Sequence, residues 1–161
     1  MREPVTAFVG LGANLGDAQR TLQDAIAALG ELPDTQLVRA SRIYRSAPVD
    51  ASGPDYLNAV AQLSTRLSAP ELLAQLQHLE QAAGRQRPYR NAPRTLDLDL
   101  LLFGDARIAS ATLTVPHPRW RERAFVLLPL QELAPGRVAP ADLAAVAGQR
   151  IAPLPPASSP A

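Results

Sequence analysis

Leu96-Asp97-Leu98-Asp99-Leu100-Leu101-Leu102-Phe103 is an apolar run broken only by two acids two positions apart. It reads as a buried strand, and it completes an order that begins near the N-terminus. Val5 to Leu11 is a short apolar run ending in glycines. From Asp17, residues Leu22, Ala25, Ile26 and Leu29 take the i, i+3, i+4, i+7 spacing of a core-facing helix, closed by Gly30 and Pro33. Leu37 to Tyr44 and Leu57 to Leu67 read as strands, separated by a Pro- and Gly-bearing loop from Ser46 to Pro54. Ser68 with Glu71 forms a capping box, and Leu72, Leu73, Leu76, Leu79 and Ala83 give a second amphipathic helix stopped at Gly84. The order β-α-β-β-α-β over residues 5–103 is the split βαβ, ferredoxin-like unit, an α+β fold with a mainly antiparallel sheet and helices packed against it. A C-terminal extension follows. Ala124 to Leu133 suggests one or two short helical turns interrupted by Pro129, and residues 135–150 add a helix from Ala141. Residues 1–150 are therefore expected to form one domain, and the Pro, Ala and Ser content of 151–161 reads as a mobile tail.

Composition narrows the function classes. With 161 residues, 47% hydrophobic and 19% charged, most of the chain can pack a core, which excludes disorder. No run approaches the ~20 apolar residues of a spanning helix, so no membrane association is expected. Val5 to Ala13 imitates a signal-peptide core, but Glu3, Pro4, Gly10 and Gly12 argue for a strand running into a loop. The absence of Cys excludes disulfides, thiolate nucleophiles and zinc-thiolate sites and fits a cytoplasmic protein. A net charge of +1 is too small for a general polyanion-binding surface, and no nucleic-acid partner is expected. All 16 basic residues are Arg, however, and seven of them fall in residues 85–94 and 119–123.

In a strand the side chains alternate, so Asp97 and Asp99 share a face roughly 7 Å apart. On an apolar strand two such carboxylates repel and lose hydration, which a divalent cation would offset. Magnesium suits them, because it takes one or two protein carboxylates and leaves its other positions to water and phosphates. Two solvated acids at a strand end are the plainer alternative. Arg85, Arg87, Arg90 and Arg94 precede the acidic strand, and Arg119, Arg121 and Arg123 follow it beside His117; guanidinium forks match phosphate oxygens and stay charged. Two such clusters flanking an acidic pair favour a polyphosphate over a loop of simple ion pairs. Gly10-Leu-Gly12-Ala-Asn14-Leu-Gly16 spaces its glycines as G-x-G-x-x-x-G, which fails the dinucleotide fingerprint and reads as a turn permitting close approach. Tyr56 and Asn58 alternate on one strand face, offering a ring and an amide that suit a flat heterocycle, or simply a structural Tyr and a loop-closing Asn. Glu80 rides the edge of the second helix's apolar stripe, placed to pair with Arg or to support the metal site, whereas His78 reads as a surface residue.

Together these residues resemble the 6-hydroxymethyl-7,8-dihydropterin pyrophosphokinase family over about residues 5–138. The resemblance rests on Gly-Leu-Gly-Ala-Asn-Leu-Gly, Ser46-Ala-Pro-Val, Asp55-Tyr-Leu-Asn-Ala, Glu80 with Gly84-Arg85-x-Arg87, Pro93-Arg-Thr-Leu-Asp-Leu-Asp, Val115-Pro-His117 and Arg123-x-Phe125. It implies a monomeric enzyme that binds ATP and 6-hydroxymethyl-7,8-dihydropterin and moves pyrophosphate from one to the other. By resemblance, two Mg²⁺ ions would lie on Asp97 and Asp99, and Arg85 and Arg94 would grip the β and γ phosphates as catalytic residues. Gln77, Arg87, Thr114, His117 and Arg123 would line the nucleotide side. Pterin would lie between Tyr56 and Phe125, read by Asn58 and the backbone of Ser46, Ala47, Pro48 and Val49. The chain departs from the best-known members in an Arg-rich loop one residue shorter, in Asn91 and Thr112, and in Pro118 after His117. Two rivals make different demands. An RNA-binding ferredoxin-like module needs exposed aromatics on a basic sheet face, whereas only 4% of residues are aromatic and the Leu-rich strand carries acids. Another magnesium phosphotransferase gives no reason for Tyr56, Asn58 and Phe125 to converge.

Overall fold

The computed structural model describes residues 3–14, 17–47, 55–84 and 96–154. Strand β1 (Val5–Ala13) leads to helix α1 (Ala18–Leu29), whose N-terminus is capped by the Asp17 carboxylate accepting from the Arg20 N–H at 3.1 Å. Strands β2 (Thr35–Ala40), β3 (Tyr44–Ser46) and β4 (Tyr56–Thr65) precede helix α2 (Ala69–Gly84) and strand β5 (Asp97–Phe103). The capping box closes as expected: the Ser68 N–H donates to Glu71 and the Glu71 N–H to the Ser68 hydroxyl, at 2.8 and 3.2 Å. After β5 come a small hairpin, β6 (Ile108–Ala109) with β7 (Thr114–Val115), a 3₁₀ turn at Trp120–Glu122, helix α3 (Ala124–Leu133), helix α4 (Pro140–Ala145) and strand β8 (Ile151–Pro153).

Among the described residues six strands form one sheet in the order β5-β1-β4-β3-β8, with β2 also on β4. Every pairing is antiparallel. The first four core positions, with β2 and β3 sharing one, follow the 4-1-3-2 order of a ferredoxin-like sheet. The two faces are sorted by β1. Its odd positions Ala7, Val9, Leu11 and Ala13 join Leu22, Leu29, Leu72 and Leu76 under α1 and α2. Four fully buried leucines of that kind contribute about 1.5–3 kcal/mol each. On the opposite face Phe8, Val60, Leu101 and Leu102 pack against Trp120, Val126, Leu127, Leu130 and Leu133.

Four expectations need correction. Leu37 to Tyr44 is not one strand: the chain bulges between Leu37 and Arg39, and at Ser41 the hydroxyl accepts from the Val60 N–H at 3.0 Å, a side chain standing in the ladder. β2 and β3 therefore pair with opposite ends of β4. Pro129 does not interrupt α3, because Val126, Leu127, Pro129, Leu130 and Leu133 are all buried and packing outweighs the one missing N–H. Gly10 and Gly12 lie within β1, not in a turn. Finally, residues 151–154 are not tail: β8 pairs with β3, and the Leu154 N–H donates to the Ile43 carbonyl at 2.8 Å. The remainder of the expected tail lies outside the described residues.

Helix α3 is fastened across the sheet by Glu132. Its carboxylate accepts from the Arg42 N–H at 2.9 Å, the Arg42 guanidinium at 3.2 Å and the Tyr44 hydroxyl at 2.8 Å. The Arg39 guanidinium adds a bond to the Leu133 carbonyl. Burial raises the Glu132 pKa, but these donors outweigh it and hold the carboxyl below the usual glutamate value. The ionised form thus stabilises the fold at neutral pH, and that stabilisation is lost as the pH falls through the glutamate range. Glu132→Gln should cost about 1–2 kcal/mol at pH 7, a drop of a few degrees in Tm, and should flatten the decline of Tm between about pH 5 and 3. Thermal melts of both proteins across that range check this; an equally steep decline in the variant would contradict it.

Candidate active site

One row across the sheet carries the site. Gly12 on β1 lies opposite Asp97 on β5 and Asn58 on β4, and Asn58 in turn lies opposite Tyr44 on β3. The next row on the same face sets Gly10 between Asp99 and Val60. Asp97, Asp99, Gly10, Gly12 and Asn58 therefore share the face that α3 covers farther along, and the acids are brought onto it together, as the alternation predicts. Asp97 is exposed and Asp99 half-buried. The glycines form the floor of this end. A Cβ at Gly12 would come within 3.3 Å of the Asn58 amide nitrogen, and one at Gly10 within 3.4 Å of Leu101. A local reading for turns missed this role; the signal was the even spacing from Phe8, which continues the strand's outer face.

Asn58 is only 5% exposed, and its orientation is set by the Ser46 hydroxyl, which donates to Oδ1 at 2.7 Å. That bond leaves the Nδ2 group, beside Gly12, as the donor end of the amide. Tyr56 is half-buried on the same strand face, and Ala47 is exposed beyond β3. Phe125, in the first turn of α3, is half-buried and carries the Arg123 guanidinium over its ring at 5.3 Å.

β5 is an edge strand, and the backbone between its two acids is tied down by α2: the Leu98 N–H donates to the Glu80 carboxylate at 2.8 Å. Glu80 thus holds the acidic strand by its backbone, at a point between Asp97 and Asp99. His117 reaches the same end from the other direction. Its N–H donates to the Leu101 carbonyl at 3.0 Å, docking the segment after β7 on β5. Its Nδ1 accepts from the Arg119 N–H at 3.2 Å, so in the neutral ring the proton is on Nε2, free to donate. Burial, aided by Arg123 and Arg119 and opposed by the Asp99 carboxylate, holds the imidazole below the ordinary histidine value. A groove of about 450 Å³ beside the β6–β7 hairpin is lined by Thr114 and His117 together with Arg107, Trp120 and Arg121. Gln77 is exposed on α2, on the helix-covered side of the sheet, and the groove does not include it. Arg85, Arg87, Arg94, Pro48 and Val49 lie outside the described residues.

The donor set fits magnesium. Among the described residues no three His, Cys, Asp or Glu side chains cluster as a closed metal site, whereas two carboxylates facing solvent match a hard cation that keeps most of its positions for water and phosphate. Fold and site together define a ferredoxin-like α+β protein with two acids and two glycines on one open end of a sheet face. Residues 8–135 match the family described as 7,8-dihydro-6-hydroxymethylpterin-pyrophosphokinase (HPPK), and the chain belongs to it. Three similar proteins are each named 2-amino-4-hydroxy-6-hydroxymethyldihydropteridine pyrophosphokinase. That of Synechocystis sp. is 46% identical over 83% of this chain and 69% of its own length. That of Pseudomonas aeruginosa is 44% identical over 92% and 96%. That of Haemophilus influenzae is 43% identical over 84% and 86%. Among solved structures, an HPPK-DHPS in complex with substrates matches with a TM-score of 0.65 at 11% identity, covering 81% of this chain and 40% of that one. The Plasmodium falciparum HPPK-DHPS with pterin and p-hydroxybenzoate gives 0.58 at 12% identity, covering 80% and 39%. Likeness at that identity establishes the fold. Neither an RNA-binding module nor another phosphotransferase finds support in these matches. No helix among the described residues is long and apolar enough to cross a membrane.

If Glu80 secures the strand between the acids, Glu80→Leu should speed hydrogen exchange of the Leu98 amide roughly ten-fold or more, while Glu80→Gln, which keeps an acceptor, should leave it within roughly three-fold. Amide exchange followed by NMR gives the answer, and equal protection in all three proteins would contradict the assignment.

Proposed function

We propose that this chain transfers the β and γ phosphoryl groups of ATP as one unit to 6-hydroxymethyl-7,8-dihydropterin in folate biosynthesis, releasing AMP. The observation that carries the reading is the row that sets Gly12 between Asp97 and a buried, oriented Asn58, with Asp99 in the next row on the same sheet face. One end of that row suits a polyphosphate and the other a flat heterocycle, so two substrates can meet across Gly12. The hydroxymethyl oxygen attacks the β-phosphorus, the bond from that phosphorus to the oxygen bridging to the α-phosphorus breaks, and AMP departs with that oxygen. The alcohol proton passes to water. No protein nucleophile is required, and the chain acts by aligning the reactants and by meeting charge.

Asn58 donates from Nδ2 to the pterin edge, held in that sense by Ser46, while Tyr56 and Phe125 offer their rings to its faces and the backbone from Ser46 to Val49 completes the pocket. His117 donates from Nε2 to a phosphate oxygen, and Arg123, Thr114 and Arg87 complete the nucleotide side. Arg85 and Arg94 grip the β and γ phosphates. Asp97 and Asp99 would hold two Mg²⁺ ions, which when bound neutralise phosphate charge. We take the chain to act as a monomer and assign the reaction to the cytoplasm.

Incubation with ATP, magnesium and the pterin alcohol should yield AMP in step with a pterin diphosphate and no ADP. Asp97→Asn and Asp99→Asn should each lower kcat more than roughly 100-fold at saturating magnesium with the fold intact. Phosphorus NMR and circular dichroism measure both. Accumulating ADP, or ATP consumption that ignores the pterin, would overturn the reading.

A further inference from the structure

Gln149 lies beyond the residues that match the family, on the strap leading from α4 to β8, and it is exposed. Its carboxamide nevertheless makes two hydrogen bonds to one short stretch of backbone. Oε1 accepts from the Ala124 N–H at 2.9 Å, and Nε2 donates to the Glu122 carbonyl at 2.9 Å. The two bonds bracket Arg123 as the edge of a neighbouring strand would, with each end of the amide used in its proper sense.

Arg123 sits at the junction of the 3₁₀ turn and α3, in extended backbone with φ −122° and ψ 113°, and its own side chain makes no cap to the helix. The Ala124 N–H is one of the helix's orphan donors, and Gln149 satisfies it. With the peptide on each side fixed, the Arg123 guanidinium is delivered over the Phe125 ring, toward the His117 imidazole that it influences electrostatically. The strap is itself well anchored. Val146 is buried at 4% exposure in the α3 core, and the Arg150 carbonyl accepts from the Ala47 N–H at 3.3 Å. β8 then pairs with β3, whose Ser46 orients Asn58. One segment of chain therefore joins the backbone that carries Arg123 to the strand that carries the pterin-side pocket.

We propose that Gln149 is a positioning residue, which holds Arg123 at the nucleotide by clamping the backbone on both sides of it. This rests on the assignment of Arg123 to the nucleotide side given above. A mere helix cap would affect stability and leave nucleotide affinity alone; a residue acting through Arg123 affects affinity, and only while Arg123 is present.

The test is a double-mutant cycle on the full chain, with Mg²⁺ and α,β-methylene-ATP titrated by calorimetry. Gln149→Leu keeps a side chain of similar size and removes both bonds; it should weaken binding roughly five-fold. Arg123→Ala should weaken it roughly ten-fold, for loss of a charge-assisted contact. The double variant should be no weaker than Arg123→Ala alone. Gln149→Glu, which still accepts from Ala124 but cannot donate to Glu122, should fall between wild type and Gln149→Leu, and it carries the same cycle if Gln149→Leu is too unstable to titrate. Unchanged affinity with a lowered Tm, or losses that add in the double variant, would overturn the proposal. So would an Arg123→Ala variant that binds as wild type does. Failure of the phosphoryl-transfer reading is a separate result, seen as an absence of AMP with the wild-type protein.

Discussion

Hydrogen bonding of β1 on both of its edges is the constraint on which this site depends. β4 and β5 each take their register from β1, and two of the residues that set it are glycines. Because Gly12 is opposite Asp97 on one side and Asn58 on the other, a slip of one residue in either ladder would turn that side chain to the helix-covered face and bury it among leucines. The apolar positions that alternate with the site prevent the slip. Ala7, Val9 and Leu11 on β1 and Leu98 and Leu100 on β5 are all in the core beneath α1 and α2, so the hydrophobic face fixes what the polar face presents.

The two faces also divide the chemistry. On one, side chains fill the space between sheet and helices; on the other, α3 covers only part of the sheet and the glycines leave a floor without side chains. Asp97 and Asp99 are held there by backbone pairing and by Glu80, although two carboxylates at that separation repel. His117, neutral and with its free N–H directed by Arg119, adds a donor to the same region, and Arg123 adds a positive charge. Such a set of fixed groups is better matched to a multiply charged ligand with cations than to water, which is the sense in which the site is preorganised.

Much of this was legible in the sequence, for a simple reason: period 2 and period 3.6 are local. The pairing of Asp97 with Asp99, and of Tyr56 with Asn58, followed from alternation, and α1 and α2 from their apolar stripes and caps. What was hidden depended on distant partners. The break at Ser41 exists because its hydroxyl finds Val60, and the strand at Ile151–Pro153 exists because β3 offers an edge; neither leaves a trace in the local pattern. Gly10 and Gly12 looked like turn residues because glycine is usually read by its backbone freedom, whereas here the absence of a side chain is what counts. Gln149 carries no local signal at all, since an exposed glutamine in a Pro- and Ala-rich stretch is unremarkable until the backbone it grips is seen.

The most direct test of the account is a crystal structure with α,β-methylene-ATP, the pterin alcohol and manganese in place of magnesium, phased at the manganese edge. We expect anomalous peaks in contact with both Asp97 and Asp99 and with phosphate oxygens, and a pterin ring hydrogen-bonded to Asn58 Nδ2 with its hydroxymethyl group turned toward the β-phosphorus. Manganese bound elsewhere, or a pterin ring that does not touch Asn58, would contradict the claim that this one face of the sheet assembles the reaction.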